Sequence, residues 1–294
     1  MNRAINGILL ALSLLLCSCS KEGKIEAPPA IEQPTRIPNK KALFVGNNNY
    51  PNAPLAGCHN DVIDMASYLI GNYEFQQNEV LILTDAPTEA ILRGLAWLVE
   101  GTKPGDVRFF QFSGHGVEYA GVDVGSQPYG INQVICPIDF DWTPEHMILD
   151  TQMVKIFDKM SNGVKFNWVS DSCHSGDLTR SIRPGVKSKT YPLVPRTVLT
   201  QLTKARNKTK AMVGKELDVG FVSGCKYNQT SADTYDSQGR PRGALTWYLL
   251  DELKLDNTRP LNVVVSKVKD NLLRDGYSQE PQSEGARKNK PFLK

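Results

Sequence analysis

Two short motifs, each placed where an apolar run stops, constrain this chain most. Residues 107–112 form an apolar run that ends in Ser113-Gly114-His115-Gly116, and residues 166–169 form another that ends in Asp171-Ser172-Cys173-His174-Ser175-Gly176. Apolar runs of this length bounded by Gly and small polar residues read as buried strands. In open α/β sheets ligands bind beyond the carboxyl ends of the strands. His115 and Cys173 therefore stand where a base and a nucleophile belong. A thiol is a strong nucleophile as thiolate, and a nearby imidazole favours that state. Gly116 leaves its N–H accessible to a reacting carbonyl, so Gly116 and Cys173 are candidate oxyanion donors.

The rest of the chain supplies a fold around these motifs. Strand-like segments at 41–45, 79–83, 107–112, 166–169 and 220–223 alternate with helical periodicity at 58–70, 88–100, 149–160, 244–254 and 261–273. That alternation predicts an α/β fold with a largely parallel sheet and helices on both faces. Residues 117–144, rich in Gly, Asp and Pro, read as a long loop with a hairpin around 133–138, and one edge strand is expected after residue 277. A net charge of +3 gives no reason to expect nucleic acid as a partner.

Both ends of the first half differ from the core. Arg3 and the apolar run at 8–16 read as an export signal too short to span a bilayer. Residues 20–40 carry Pro28, Pro29, Pro34 and Pro38 among charges and read as a tether. Residues 178–218 hold ten Lys or Arg against two acids and are broken by Pro184, Pro192 and Pro195. They read as an exposed basic linker. The expected organisation is 1–19 signal, 20–40 tether, 41–177 the half with His115 and Cys173, 178–218 linker, and 219–294 a smaller second half.

Other readings of the site residues exist. The cysteines beyond the signal, Cys58, Cys136, Cys173 and Cys225, would allow two disulfides in an exported chain. Zinc would need a second ligand cluster at metal spacing, and Cys173-His174 has none. His174, adjacent to Cys173, would point to the opposite face of an extended backbone.

At these residues the chain resembles the metacaspases and their bacterial relatives, the orthocaspases, which are caspase-like cysteine peptidases. The resemblance rests on Ser113-Gly114-His115-Gly116, on residues 171–176, and on Ser223-Gly224-Cys225-Lys226, Gln229-Thr230-Ser231-Ala232-Asp233 and Gly243-Ala244-Leu245-Thr246. It covers residues 41–276. It implies a caspase-like three-layer sandwich, monomeric, in which Cys173 attacks a peptide carbonyl and His115 handles the proton. It also implies cleavage after Arg or Lys, with Cys58, Asp61, Ser113 and Asp171 lining the pocket for the basic side chain. Two carboxylates suit a guanidinium or ammonium, and would repel a substrate Asp.

The chemistry needs no cofactor. Many metacaspases require calcium, and here Asn132, Thr151 and Arg180 stand where the family commonly has acids, leaving Asp139, Asp141 and Asp150 as candidates. The metal site is unknown. Leu16-Cys17-Ser18-Cys19 resembles a bacterial lipobox, which implies an exported protein acylated on Cys19 and held at the membrane by that anchor alone. A peptidase specific for basic residues with a basic linker is expected to cut itself, with Lys187, Lys189, Arg196, Lys204 and Arg206 as candidate sites. The competing function is a non-catalytic caspase-like scaffold or adaptor.

Overall fold

The computed structural model describes residues 37–120, 131–173, 186–192, 194–206, 218–226 and 229–294. The expected signal, Cys19, most of the tether, Arg180 and residues 174–176 of the cysteine motif lie outside the described residues. Residues Pro38–Lys294 form one compact unit.

In chain order the elements are β1 Lys40–Gly46, α1 Cys58–Tyr73, β2 Val80–Thr84, α2 Thr88–Val99, β3 Val107–Ser113, β4 Gly116–Ala120, β5 Ile131–Ile135, β6 Ile148–Leu149, α3 Asp150–Phe157, β7 Lys165–Asp171, β8 Lys187–Ser188, α4 Arg196–Arg206, β9 Val219–Ser223, β10 Ala232–Tyr235, β11 Pro241–Gly243, α5 Ala244–Leu255, α6 Leu261–Arg274 and β12 Gln282–Glu284. The main sheet has the order β12-β9-β7-β3-β1-β2. Every pairing in it is parallel except that of the edge strand β12 with β9.

Strand β3 shows why the sheet is covered on both faces. All seven of its residues are buried. Alternate side chains point to opposite faces, and the sequence Val-Arg-Phe-Phe-Gln-Phe puts aromatic rings on each. Phe109 joins Phe44 and the apolar faces of α1, α5 and α6. Phe110 and Phe112 join Leu43, Val45 and the inner faces of α2 and α3. The result is the expected three-layer sandwich. The one cation in the strand, Arg108, is held by the carbonyls of Leu98, Asn39 and Val107 and by Asp106.

Register positions the site. Gly46 of β1 lies opposite Ser113 of β3, which lies opposite Asp171 of β7. Three parallel strands therefore end at one level, and the residues that follow them, Asn47, Gly114 and Ser172, turn onto the same edge.

Two parts differ from expectation. The segment after His115 becomes strand at once, so that β4, β5 and β6 build a small antiparallel sheet. Val117 and Val134 give it an apolar face that packs against Tyr50, Leu55 and Phe140. Among the described residues of 178–218, the reading of an exposed linker is corrected at 189–191. Lys187–Ser188 adds a strand to β10, Lys189, Thr190 and Tyr191 are buried, and Arg196–Arg206 is helical. Charge density hid this, because the buried lysine is held by carboxylates distant in sequence. Among the described residues no helix is long and apolar enough to cross a membrane.

Candidate active site

The pocket begins with the first turn of α1. Cys58 N–H donates to the Asn48 side-chain oxygen (2.9 Å), which anchors the helix start beneath β1. One turn on, Asp61 is fully buried. It accepts from Ser113 Oγ (2.6 Å) and from the Gly243 N–H (2.8 Å). Opposite it Asp171, at the end of β7, accepts from Ser231 Oγ (2.8 Å) and from Thr246 N–H and Oγ1 (3.0 and 2.8 Å). Buried carboxylates need such donors to stay ionised. Burial, with Asp171 nearby, lifts the Asp61 carboxyl to about 6 even so, against the pull of Lys189. Burial also pushes the Cys58 thiol well up.

Lys189 fills the space between the two acids. Its Nζ lies 3.2 Å from Asp61 Oδ2, 3.1 Å from Asp171 Oδ1 and 2.8 Å from Ser113 Oγ. An ammonium has three donors, and here each has a partner. Burial opposes its charge, but Asp171, Cys58 and Asp61 outweigh that and raise its pKa well above the usual lysine value. Gly243 forms part of the wall, where a Cβ would fall on Asp171, Lys189 and Asp61.

The backbone around Lys189 is clamped as a strand. Lys189 N–H donates to the Ser231 carbonyl (3.0 Å), and Gly116 N–H donates to the Lys189 carbonyl (2.9 Å). Two residues on, Tyr191 N–H donates to the Gly116 carbonyl (3.4 Å). Lys189 thus has its side chain in the acidic pocket and its carbonyl on the glycine that follows His115.

His115 is held from three sides. Its N–H donates to Tyr50 Oη (3.1 Å), that hydroxyl donates to the Cys136 carbonyl (2.7 Å), and the two rings lie 4.6 Å apart. The ring Nε2 sits 2.7 Å from the Ala53 carbonyl, which fixes the proton on Nε2 because a carbonyl only accepts. Nδ1 then carries the lone pair and has no hydrogen-bond partner among the described residues. Burial lowers the imidazole pKa to about 4, against weaker upward pulls from the Ala53 and Lys189 carbonyls. Gly114 permits the turn, since a Cβ there would strike Tyr50 Oη and the Phe112 ring.

Cys173 is buried at the end of β7, where its thiol takes the Ser231 N–H and donates to the Ser231 carbonyl (3.3 Å). Burial alone would raise this thiol. Hydrogen bonds with Cys225, Thr190, Ser231 and Ser188 outweigh it, and its pKa falls below the ordinary thiol value. Cys173 and His115 are not hydrogen-bonded to each other. Cys58, Cys136, Cys173 and Cys225 are all free thiols.

The structure thus brings Cys58, Asp61, Ser113, Asp171, His115, Gly116 and Cys173 to one edge. Sequence reasoning missed Ser231, Gly243 and Thr246 as pocket residues, although each lies in a segment that carries the family resemblance. It also missed Ala53, a backbone acceptor whose side chain gives no signal.

The three candidate calcium acids are each engaged separately. Asp139 accepts from Thr88 N–H and Oγ1 at the start of α2. Asp141 takes Thr143 and His146. Asp150 accepts from Thr151 N–H, and burial raises its carboxyl to about 6. Asn132 and Thr151 hydrogen-bond each other instead (3.3 Å). Calcium takes six to eight oxygen ligands, acids prominent among them. Among the described residues no group of three or more His, Cys, Asp or Glu could hold a metal ion.

A family model described as metacaspase, peptidase C14 domain, matches residues 40–181. Metacaspase-1B of Aspergillus oryzae is 32% identical over 83% of this chain and 67% of its own length. Metacaspase-1A of Neurospora crassa is 29% identical over 83% of this chain and 62% of its own length. Metacaspase-1 of Scheffersomyces stipitis is 32% identical over 83% and 70%. The chain therefore spans roughly two thirds of these relatives. A crystal structure of a Geobacter sulfurreducens protein shares the fold, with a TM-score of 0.60 at 21% identity over 86% of this chain and 97% of that one.

Proposed function

Because the chain belongs to the metacaspase family of caspase-like cysteine peptidases, we propose that Cys173 and His115 are its catalytic pair and that it cleaves after Lys or Arg, its own Lys189–Thr190 bond included. One observation carries the reading. A lysine with its ammonium between Asp61 and Asp171, and its carbonyl on the Gly116 N–H, has the geometry of a bound substrate residue.

In the proposed reaction His115 Nδ1 takes the Cys173 proton as the sulfur attacks the lysine carbonyl carbon. The Gly116 N–H, joined by the Cys173 N–H, holds the negative oxygen. The C–N bond breaks, His115 gives its proton to the departing amine, and a thioester remains. Water, deprotonated by His115, then attacks the thioester, releasing the carboxylate and restoring the thiol. The Ala53 carbonyl serves throughout by keeping the ring in the tautomer whose Nδ1 is free.

No step is routed through calcium, and the reaction as proposed does not require it. Export with acylation of Cys19 belongs to the same proposal and is supported by the apolar run at 8–16 and the residues Leu16-Cys17-Ser18-Cys19.

The test is hydrolysis of coumarin-amide peptides ending in Lys, Arg or Asp by wild-type and Cys173→Ala protein. Cleavage of the Lys and Arg peptides by the wild type alone is expected. Cleavage of the Asp peptide, or of none, would overturn the reading, the second outcome favouring a scaffold.

A further inference from the structure

Beyond Lys189 the buried chain continues on the far side of the bond proposed to be cut. Tyr191 is 4% exposed. Its ring lies edge-on to four others, with centroids 5.1 Å from Phe140, 5.4 Å from His115, 6.1 Å from Tyr50 and 6.3 Å from Trp142. Edge-to-face contacts at these separations are favourable beyond the area they bury.

The walls of this aromatic cup do not belong to the segment that fills it. Tyr50 follows β1 and is fixed by the Cys136 carbonyl. Phe140 and Trp142 lie between β5 and β6, on a loop tied down by Ile138 N–H on the Ala86 carbonyl and by Asp139 at the start of α2. Phe140 packs on Trp142 at 5.0 Å. The cup is therefore part of the frame that carries His115.

Register makes it a substrate subsite rather than a private contact of the linker. Gly116 binds the chain twice, through its N–H to the Lys189 carbonyl and through its carbonyl to the Tyr191 N–H. Any peptide whose basic residue places its carbonyl on the Gly116 N–H presents its second following residue at the same place.

We propose that Tyr50, Phe140 and Trp142, with the edge of His115, form a subsite for a large aromatic side chain two residues after the cleaved bond. The preferred substrates are peptides of the pattern basic residue, small residue, aromatic residue. This rests on the reading that Cys173 cuts after Lys or Arg. An aromatic ring seated there also covers the His115 imidazole and keeps water from it, so the same contact that selects the substrate dries the base.

The full chain, incubated until self-processing is complete, is assayed on three quenched fluorescent peptides. One has the sequence Val-Lys-Ser-Lys-Thr-Tyr, and the others carry Ala or Asp in place of Tyr. A coumarin-amide peptide ending in Lys, which has nothing beyond the cleaved bond, serves as reference. The Tyr peptide is expected to exceed the Ala peptide in kcat/KM by roughly tenfold to a hundredfold, the span set by burying one aromatic side chain, with Asp lowest. In Phe140→Ala the Tyr-to-Ala ratio should fall to about threefold or less. A ratio within one enzyme is insensitive to how much of the variant is folded. Cleavage of the coumarin peptide with a Tyr-to-Ala ratio near one in the wild type overturns the subsite alone. Failure to cleave the coumarin peptide overturns the underlying reading and the subsite with it.

Discussion

Replacing Lys189 by Ala, in a Cys173→Ala background so that no cleavage intervenes, removes one cation from between two buried carboxylates. Asp61 and Asp171 keep their other donors, namely Ser113, Gly243, Ser231 and Thr246, but lose the charge that offsets their repulsion. Breaking a buried ion pair by deleting one partner costs about 3–5 kcal/mol. The Asp61 carboxyl already stands at about 6, so without the lysine it takes up a proton at neutral pH and relieves part of the strain. The lower end, about 3 kcal/mol, is therefore expected, which for a domain of this size is a fall in Tm of roughly 6–12 °C. The assay is thermal unfolding with and without agmatine, a small guanidinium amine that fits the emptied pocket. At a hundred times its Kd a ligand restores about 2.7 kcal/mol, so agmatine should return most of the lost Tm in the Lys189→Ala chain. It should leave the Lys189-containing chain unchanged. A Tm within about 2 °C of the parent, together with no response to agmatine, would refute the pocket as drawn.

The buried His115 ring, with its pKa near 4, should titrate by NMR in the Cys173→Ala chain well below the 6.5 of a free imidazole, and an inflection at 6.5 or above would show a solvated ring. Between pH 6.5 and about 4 the unfolded chain binds a proton that folded His115 refuses, so this residue's share of stability is present above 6.5 and lost as pH falls towards 4. EDTA in excess should leave hydrolysis of the lysine coumarin peptide within about twofold of its value in added calcium, since Asn132 and Thr151 bond each other where acids would be needed. A large loss restored by calcium would contradict this. Mass spectrometry of the chain expressed in a bacterium is expected to find the N-terminal peptide starting at a diacylglyceryl Cys19, whereas an unmodified N-terminus would remove the lipid anchor.

The strands and their order of chemistry were legible because burial on both faces leaves a continuous apolar run. Residues 107–112 announce both β3 and the motif at its end. The first-half pocket residues, Cys58, Asp61, Ser113 and Asp171, were legible only through the family resemblance, since a carboxylate on a helix face or at a strand end carries no signal of its own. Ser231, Gly243 and Thr246 were not. Their part in the pocket depends on the second half folding back, Ser231 and Thr246 onto Asp171, 60 and 75 positions away, and Gly243 onto Asp61, 182 positions away, contacts that no local pattern encodes. The burial of Lys189 was hidden for the opposite reason. Ten cations in 178–218 read as solvated surface, and only the two carboxylates in space turn one of them into an interior residue. Helix α4 was missed because its apolar positions are sparse among Arg, Thr and Gln, although Pro195 just before it is a common start signal.

In the proposed self-cleavage the linker lies across the catalytic edge as a substrate does, poised at one bond. This is tested most directly by incubating purified wild-type and Cys173→Ala chains and reading the new termini by mass spectrometry. A fragment ending at Lys189 and another beginning at Thr190 are expected in the wild type alone, with the basic residues at Lys187 and Arg196 cut later or not at all. First cleavage elsewhere in the linker, or the same fragments from the Cys173→Ala chain, would contradict it.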